Sequence, residues 1–585
     1  MKVLFAALHL AHFRNFESAI GELARRGHRV HLTGDEPEAL GGEALARRLA
    51  GEYPGLVTWD RLPSLGEEPW YDAARRMRVA LDYVRVLEPR YPDKLRLRAE
   101  KRTARVVRWT SALPGGARVT RSALQRFERL LPASELMLSY LRQQSPDLVV
   151  LASLTLSRSQ QLDLLKAART LRIPVAAAIM SWDHLSSKAL LHVAPDQVIV
   201  WNDVQKREAI EMHGLPADRV LATGAQCYDQ WFTRVPERSR DEFCRAMGLR
   251  SDRPFVLWVH SALTPTPQPP EPVLVRRWIE ALRASSDPRL HDLGVLVRPH
   301  PERLKEWAGV GLDDCANVAF RGRNPIDSAA KTDYFDSLYY SSAVIGLVTS
   351  AFLEAAIVGR PVLTFQLPEY RMHQEEMIHF QYLLNVAGGL LHTAPDIDTH
   401  LGQLADAVAL EGHRDERNRR FIHAFVRPGG LDAPATPPFV DALEHLQRSG
   451  TRPDPSLESA KWLRSLVTTV AAWSQTGPGR WLMNDMRGDA SDEHEAHAER
   501  SLRVRRADKD ARIRAKLRRK ARRRRYDALM LKGKEAKSAL RMMRFRTAIF
   551  AHRMLALAGI DSFDSDRSRS DVAQGKRGEL PGSKQ

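Results

Sequence analysis

From Met1 to about His400, short apolar runs alternate with stretches of helical spacing, and few architectures tolerate that rhythm. The opening, KVLFAALHLAHFRNFESAIGELARRGHRVHLTG, reads as an apolar strand, a loop, a helix with Phe16, Ile20 and Leu23 on one face, a stop at Gly27 and a second strand over Arg29 to Thr33. Strand, helix and strand joined this closely predict a right-handed crossover between parallel strands. A basic helical stretch over about 70–131, with Met77, Leu81, Val84 and Leu87 on one face, breaks the alternation and reads as an insertion. The rhythm resumes through PDLVVLAS, a helix over 159–170, IPVAAAIMSWDH, PDQVIVWND and DRVLATGAQCYDQWF. A second series starts at RPFVLWVHSA and continues through LGVLVRPHP, NVAFRGR and SSAVIGLVTSAFLEAAIVGRPVLTF. Two such series predict an α/β chain with two parallel-sheet domains facing across a cleft, one over 1–235 and one over 236–415. Two closing helical patterns fill 416–476, and 477–585 turns acidic and then basic.

Length agrees, since 585 residues exceed what one ordinary core organises. Cys227, Cys244 and Cys315, the three cysteines, stand in no paired or metal-type spacing, so a reducing, cytoplasmic setting is expected, without disulfides or a zinc site. Lys2 followed by an apolar run imitates a signal peptide, but His9, His12 and Arg14 interrupt the run and favour a buried first strand. No uncharged apolar run reaches the roughly 18 residues of a membrane span, so no transmembrane helix is expected. The net charge of +18 is concentrated, because Arg500 to Arg546 hold 21 Lys or Arg against four acids, a local +17. The basic balance therefore describes a tail and not the body.

Ligands of open parallel sheets bind at the carboxyl ends of the strands. There Thr349, Ser350 and Glu354 interrupt an apolar strand-helix-strand unit. A loop entering a helix presents unpaired N–H groups and the positive end of the helix dipole, which attract a diphosphate. Glu354, one turn on, could accept hydrogen bonds from the two hydroxyls of a ribose. The same residues also fit plain helix capping beside one surface carboxylate. TSAFLEAAIVGRPVLTF resembles the nucleotide-binding segment of GT-B glycosyltransferases, of which the lipid-linked N-acetylglucosaminyltransferase of peptidoglycan synthesis is an example. FDSLYYSSAVIG resembles the helix-then-strand lead-in of that family. The resemblance implies two Rossmann-like domains, a helix tip at Thr349 and Ser350 for the pyrophosphate, and Glu354 for the donor ribose. It also implies no metal, the leaving diphosphate being met by helix dipole and cations, and Asp396 and Asp398 form only a lone acidic pair.

VLVRPHP places Arg298 and His300 at a strand end stiffened by Pro299 and Pro301, and a cation beside an imidazole suits phosphate. This stretch resembles the His-Pro motif of bacterial capsule polymerases and CDP-glycerol glycerophosphotransferases, which leaves the donor base open between uridine and cytidine. In the facing half, inverting sugar transfer needs a group to take the acceptor's proton. His12 follows the first strand, where plant-type nucleotide-sugar transferases place a catalytic histidine, while His9 reads as a packed neighbour. SWDHLSSK offers Trp182 as a platform for a sugar ring, with Asp183 and His184 as reserve bases. Gly224 and Gln226 fall at a strand end beside the interdomain hinge. After the Gly-x-Pro strand come His373, Gln374 and Glu375, of which Gln374 is the expected contact to the donor sugar by positional analogy with GT-B enzymes.

Ser501 to Arg525 reads SLRVRRADKDARIRAKLRRKARRRR, with no aromatic before Tyr526, which favours attraction to a phosphate surface without base readout; nucleic acid is not the expected partner. Leu540, Met543, Thr547, Phe550, Met554 and Leu557 fall at 3–4 spacing among arginines, so the tail over about 500–560 suits an anionic membrane surface, a solvated tail or ribosomal RNA being the alternatives. The expected protein is a metal-independent GT-B glycosyltransferase, cytoplasmic and peripheral on the inner membrane face. It would move a sugar from a UDP- or CDP/CMP-linked donor to a saccharide or lipid-linked acceptor in cell-surface polysaccharide or glycolipid synthesis, with no cofactor beyond that co-substrate. A polyol-phosphate transferase or a nucleotide-sugar 2-epimerase on the same fold, and a non-enzymatic nucleic-acid binder, are the alternatives.

Overall fold

The first apolar run forms β1 (Lys2–Ala7), with Val3 to Ala7 fully buried. Continuous burial is what a parallel strand covered on both faces requires, because crossover helices lie above and below it. Around it stand β2 (Arg29–Gly34), β3 (Val57–Arg61), β4 (Leu148–Leu151), β5 (Val175–Ala178), β6 (Gln197–Val200) and β7 (Val220–Ala222). Their order is β3-β2-β1-β4-β5-β6-β7, with every pairing parallel and Phe5 opposite both Leu32 and Val150. A second parallel sheet, ordered β10-β9-β8-β11-β12-β13, is built from β8 (Phe255–Val259), β9 (Gly294–Arg298), β10 (Val318–Phe320), β11 (Val344–Gly346), β12 (Val362–Phe365) and β13 (His392–Ala394). These are the two parallel-sheet α/β lobes that the alternation predicts. Strand β3 goes beyond that expectation: it is the sheet edge and mostly exposed or half-buried, so it lacks an apolar run.

The computed structural model describes residues 1–452 except 37–40, 69, 132, 158, 262–268, 302, 323–324, 326–327 and 410–415, together with Thr469, Met543 and Arg546. Both sheets lie in a unit spanning Met1–Asp492; of the second unit, Glu493–Gln585, only Met543 and Arg546 are described, so the polybasic and amphipathic tail falls outside the described residues.

The insertion between β3 and β4 is helical, over Tyr71–Val86, Asp93–Lys101, Arg105–Ala112 and Gly116–Leu130. A buried ion group fastens it to the sheet's own helix Gln161–Thr170. Arg78 forms paired bonds to Glu128 at 3.0 Å and to Asp163 at 2.8 Å, and Lys166 reaches Glu128 at 2.7 Å. Burial alone would raise the Glu128 carboxyl, yet Arg78 and Lys166 hold it at about 2. Two cations thus balance two anions away from water. Replacing one partner of such a group typically costs about 3–5 kcal/mol, because the remaining charges stay buried and uncompensated. Arg78→Ala is expected to lower stability by that amount, read as the midpoint shift of urea unfolding, whereas a surface change such as Arg47→Ala should move it by under about 0.5 kcal/mol.

The lobes share one apolar cluster, in which Trp182, Trp201 and Tyr228 from the first meet Phe352, Phe380 and Phe425 from the second. After β13 the chain returns to the first lobe. Helix Thr436–Ser449 packs on helix Glu17–Arg25, with Phe439 against Phe16 and with Val440, Leu443 and Leu446 in the first lobe's core. Asp229 ties the return in place: it accepts from Arg427 Nη2 at 2.7 Å, from the Thr436 N–H at 2.7 Å and from the Ala435 N–H at 3.0 Å. Gly224, at φ +94, lets this segment approach closely, since a Cβ there would meet the Ala435 Cβ at 2.7 Å. Gly224 thus lies against the return segment, and the nearby Gln226 carbonyl accepts from the Ser18 hydroxyl at 3.1 Å.

Candidate functional site

In the second lobe the carboxyl ends of β8, β9 and β11 converge. His260 and Ser261 follow β8, Arg298 ends β9 and is trailed by His300, and Val348 to Ser350 follow β11. Backbone and side chains interlock here: the Val348 N–H donates to Ser261 Oγ at 2.9 Å, and the His300 N–H donates to His260 Nδ1 at 3.4 Å. His260 is buried, with Nε2 lying 3.6 Å from Glu271 and 3.7 Å from Glu306. Burial, with His300 and Arg303 nearby, lowers its imidazole to about 4. Glu271 in turn accepts from Trp258 Nε1 and from the Ser261 N–H, both at 2.9 Å, while burial lifts its carboxyl to about 7.

Thr349 is half-buried and Ser350 exposed, at the start of helix Ala351–Ile357. The anticipated open helix tip is modified here. The Ala351 N–H donates to Thr349 Oγ1 at 3.3 Å, the Phe352 N–H to the Thr349 carbonyl at 3.3 Å and the Leu353 N–H to the Ser350 carbonyl at 3.0 Å. A tight first turn therefore consumes donors that an anion would otherwise use, and the helix is too short to present a large dipole.

Glu354 is half-buried and accepts a hydrogen bond from the Tyr334 hydroxyl. Burial raises its carboxyl to about 7, with the Tyr334 bond and the Arg14 charge pulling the other way. Arg298 is buried behind this pair: its guanidinium lies 3.5 Å from Asp333 and stacks over the Tyr334 ring at 5.2 Å. Gly322, at φ +137, makes room for it, because a Cβ there would come within 3.0 Å of the guanidinium. Arg298, Tyr334 and Glu354 are thus linked in series, by a cation over the ring and a hydrogen bond from its hydroxyl.

The facing wall comes from the first lobe. Residues Leu10–Asn15 form a 3-10 turn directly after β1, carrying His12 and the exposed Arg14. Arg14 lies close enough to Glu354, Tyr228 and His12 to bias the protonation of all three. A cross-lobe ion pair between Lys331 and Glu17, 3.0 Å long, joins the helix that carries Tyr334 to the helix that follows Arg14. His12 Nδ1 sits 3.3 Å from Ser153 Oγ, and its ring packs edge-on against His9 at 5.2 Å. Burial, then His9, Arg14 and His184, pushes the His12 imidazole down to about 3, so it is neutral at ordinary pH.

SWDHLSSK folds as a short buried cap on the same wall. Trp182 is only 5% exposed and packs edge-on against His379 at 5.1 Å, so it is not a platform for a sugar ring; its face is committed to the protein core. Asp183 accepts from the Ser181 hydroxyl at 2.6 Å and from the Ser187 hydroxyl at 3.1 Å. Burial would raise its carboxyl, but Lys188, His184, His379 and Ser181 hold it well below the usual range. Gln374 is fully buried, its amide donating to the Leu347 carbonyl at 3.1 Å, so it supports the floor of the 347–350 loop and does not line the cleft. His373 is buried against Lys94 of the insertion. Among the described residues no three His, Cys, Asp or Glu gather as a metal-binding group.

Sequence reasoning missed Arg14, His260, Ser261 and Tyr334. The first three had a usable signal, since His260 and Ser261 directly follow the apolar strand β8 and Arg14 sits in the turn after β1, seven residues beyond it. Tyr334 had none, because only folding brings helix Ser328–Tyr340 over Glu354.

No family model and no curated protein matches the chain. Among solved structures it is similar to a glycosyltransferase from Rickettsia africae ESF-5, at 10% identity over 76% of this chain and 98% of that one, with a TM-score of 0.45. It is also similar to a UDP-N-acetylglucosamine 2-epimerase from Rickettsia bellii, at 13% identity over 77% and 97%, TM-score 0.44. A third likeness is to a UDP-GlcNAc 2-epimerase from Neisseria meningitidis bound to UDP-GlcNAc, at 12% identity over 76% and 100%, TM-score 0.44. Likenesses at this level leave the chemistry of the cleft to be argued from its own residues.

Proposed function

We propose that the protein is a metal-independent glycosyltransferase that moves a sugar from a UDP- or CDP/CMP-linked donor to a saccharide or lipid-linked acceptor in cell-surface polysaccharide or glycolipid synthesis. The observation that carries this reading is Glu354 in the first helix after β11, a half-buried carboxyl that already accepts a hydroxyl hydrogen bond, from Tyr334, with the cation Arg14 of the first lobe near enough to favour its ionised form. In that arrangement Glu354 takes the ribose hydroxyls, displacing the Tyr334 hydroxyl. Thr349, Ser350 and His300 line the diphosphate on one side and Arg14 neutralises it from the other. Arg298 acts by holding Tyr334 and is not itself a ligand contact.

Neutral His12 takes the proton of the acceptor hydroxyl as that oxygen bonds to the sugar's anomeric carbon and the bond from that carbon to the donor phosphate oxygen breaks, the electron pair leaving with the nucleotide. An anionic phosphate group nearby would raise the imidazole's proton affinity, offsetting the burial and neighbouring charges that depress it. His12→Ala should therefore lower kcat by about 10²–10⁴-fold while nucleotide affinity stays within about twofold. Equal loss in both would remove His12 from the chemistry.

A thermal-shift panel of UDP, CDP, CMP, GDP and dTDP tests the nucleotide site. Stabilisation by at least one, absent in Glu354→Ala, supports the reading; no stabilisation by any nucleotide overturns it. A second reading is a nucleotide-sugar 2-epimerase, for which the carboxyl after β5, Asp183, bonded to the Ser181 and Ser187 hydroxyls and next to His184, is the acid available for proton transfer. Product analysis of one labelled nucleotide-sugar without acceptor separates the two, since only an epimerase then yields a new nucleotide-sugar.

A further inference from the structure

The insertion ends in a tip that the cleft does not use. Helices Arg105–Ala112 and Gly116–Leu130 pack against each other, joined by a turn through Leu113, Pro114 and Gly115. The Thr120 hydroxyl donates to Thr110 Oγ1 at 3.2 Å across the pair, and Trp109 and Val119 each lie about one helical turn from the connection, four residues before Leu113 and four after Gly115. Their exposures are 56% and 69%, with Leu113 at the turn 63% exposed and Leu97 on the neighbouring helix 55%. Single exposed apolar residues are ordinary on a protein surface, whereas several gathered at one tip mark a contact face.

Charge decides what that face fits. Residues 93–131 contain eleven Lys or Arg against three acids, a net +8. Of those acids, Glu128 is buried in the ion group described above and Glu100 lies 3.3 Å from Arg108. An apolar tip collared by cations matches the two layers of an anionic bilayer, acyl chains for Trp109, Leu113 and Val119 and headgroups for the arginines. A nucleic-acid backbone would leave the aliphatic side chains without a partner, and a second copy would bring two strongly positive surfaces together. Among the described residues no helix is long and apolar enough to cross a membrane, so the contact is with a surface.

We propose that the tip of this insertion docks the protein on an anionic lipid bilayer, with Trp109, Leu113 and Val119 entering the acyl boundary. The insertion also reaches the cleft: Lys94 meets His373 of the second lobe, and Leu95 lies in the apolar cluster the lobes share. Docking would thus hold the cleft beside acceptors anchored in the same leaflet, a consequence that rests on the transferase reading although the docking itself does not.

The test uses the full-length chain with vesicles of phosphatidylcholine alone or mixed with phosphatidylglycerol. Hydrogen exchange over residues 97–119 should slow on the mixed vesicles and not on phosphatidylcholine. W109S/L113S/V119S, whose changes lie at exposed positions, should lower the partition coefficient in flotation by about tenfold while keeping the wild-type unfolding midpoint. The proposal is overturned if the protein floats with unchanged exchange at 97–119, since another part of the chain then holds it. It is also overturned if no vesicle binds, or if exchange there slows with protein concentration alone, as a second copy would cause.

Discussion

Glu354→Gln is expected to weaken nucleotide binding by about 10–100-fold, the equivalent of roughly 1.5–3 kcal/mol for hydrogen bonds to a charged acceptor. The size follows from replacing a carboxylate that accepts two hydroxyls by an amide that accepts only through its oxygen. Protonation gives the same loss by another route. Burial lifts the carboxyl to about 7, so at pH 8 it is mostly ionised and at pH 6 mostly neutral. A neutral carboxyl keeps one acceptor and loses the charge, so wild-type affinity should fall as pH drops through about 7 and hold steady above it. Calorimetric titration across pH 5.5–8.5 reads this directly; a wild-type curve as flat as that of Glu354→Gln would remove the carboxylate from the nucleotide site.

Asp229→Ala is expected to destabilise the protein by about 3–5 kcal/mol. Its carboxylate neutralises Arg427, which is 5% exposed and lies over the Phe232 ring, and it accepts from two backbone N–H groups and the Thr436 hydroxyl. Truncation strands a buried cation and leaves those donors unpaired. Asp229→Asn keeps an acceptor without the charge and should lie between the two. Urea unfolding followed by circular dichroism measures both, and a loss below about 1 kcal/mol for the alanine variant would show that the return segment is held by apolar packing alone.

How much of this was legible in the sequence depended on where each signal resided. Strands such as β1, β4 and β8 announced themselves because burial on both faces forces an unbroken apolar run. The placement of Thr349 to Glu354 between β11 and β12 followed from the same reasoning. The chemistry of individual side chains did not, since a polar residue reads alike whether it faces a ligand or a carbonyl. Gln374 is spent on Leu347 and Trp182 on His379, and the first N–H groups of helix Ala351–Ile357 on their own turn. Arg14 was visible as a charge after a strand, but its influence on Glu354 links residues 340 positions apart and arises only in the folded chain.

The return of helix Thr436–Ser449 to the first lobe has a consequence for biosynthesis. As the chain leaves the ribosome, the first sheet can pair its strands early, but the face around Phe16 and Ile20 stays bare until residues 436–449 are made. The nascent first lobe must therefore wait, partly uncovered, through the synthesis of the entire second sheet, and a chain halted after β8 would carry an adhesive apolar face.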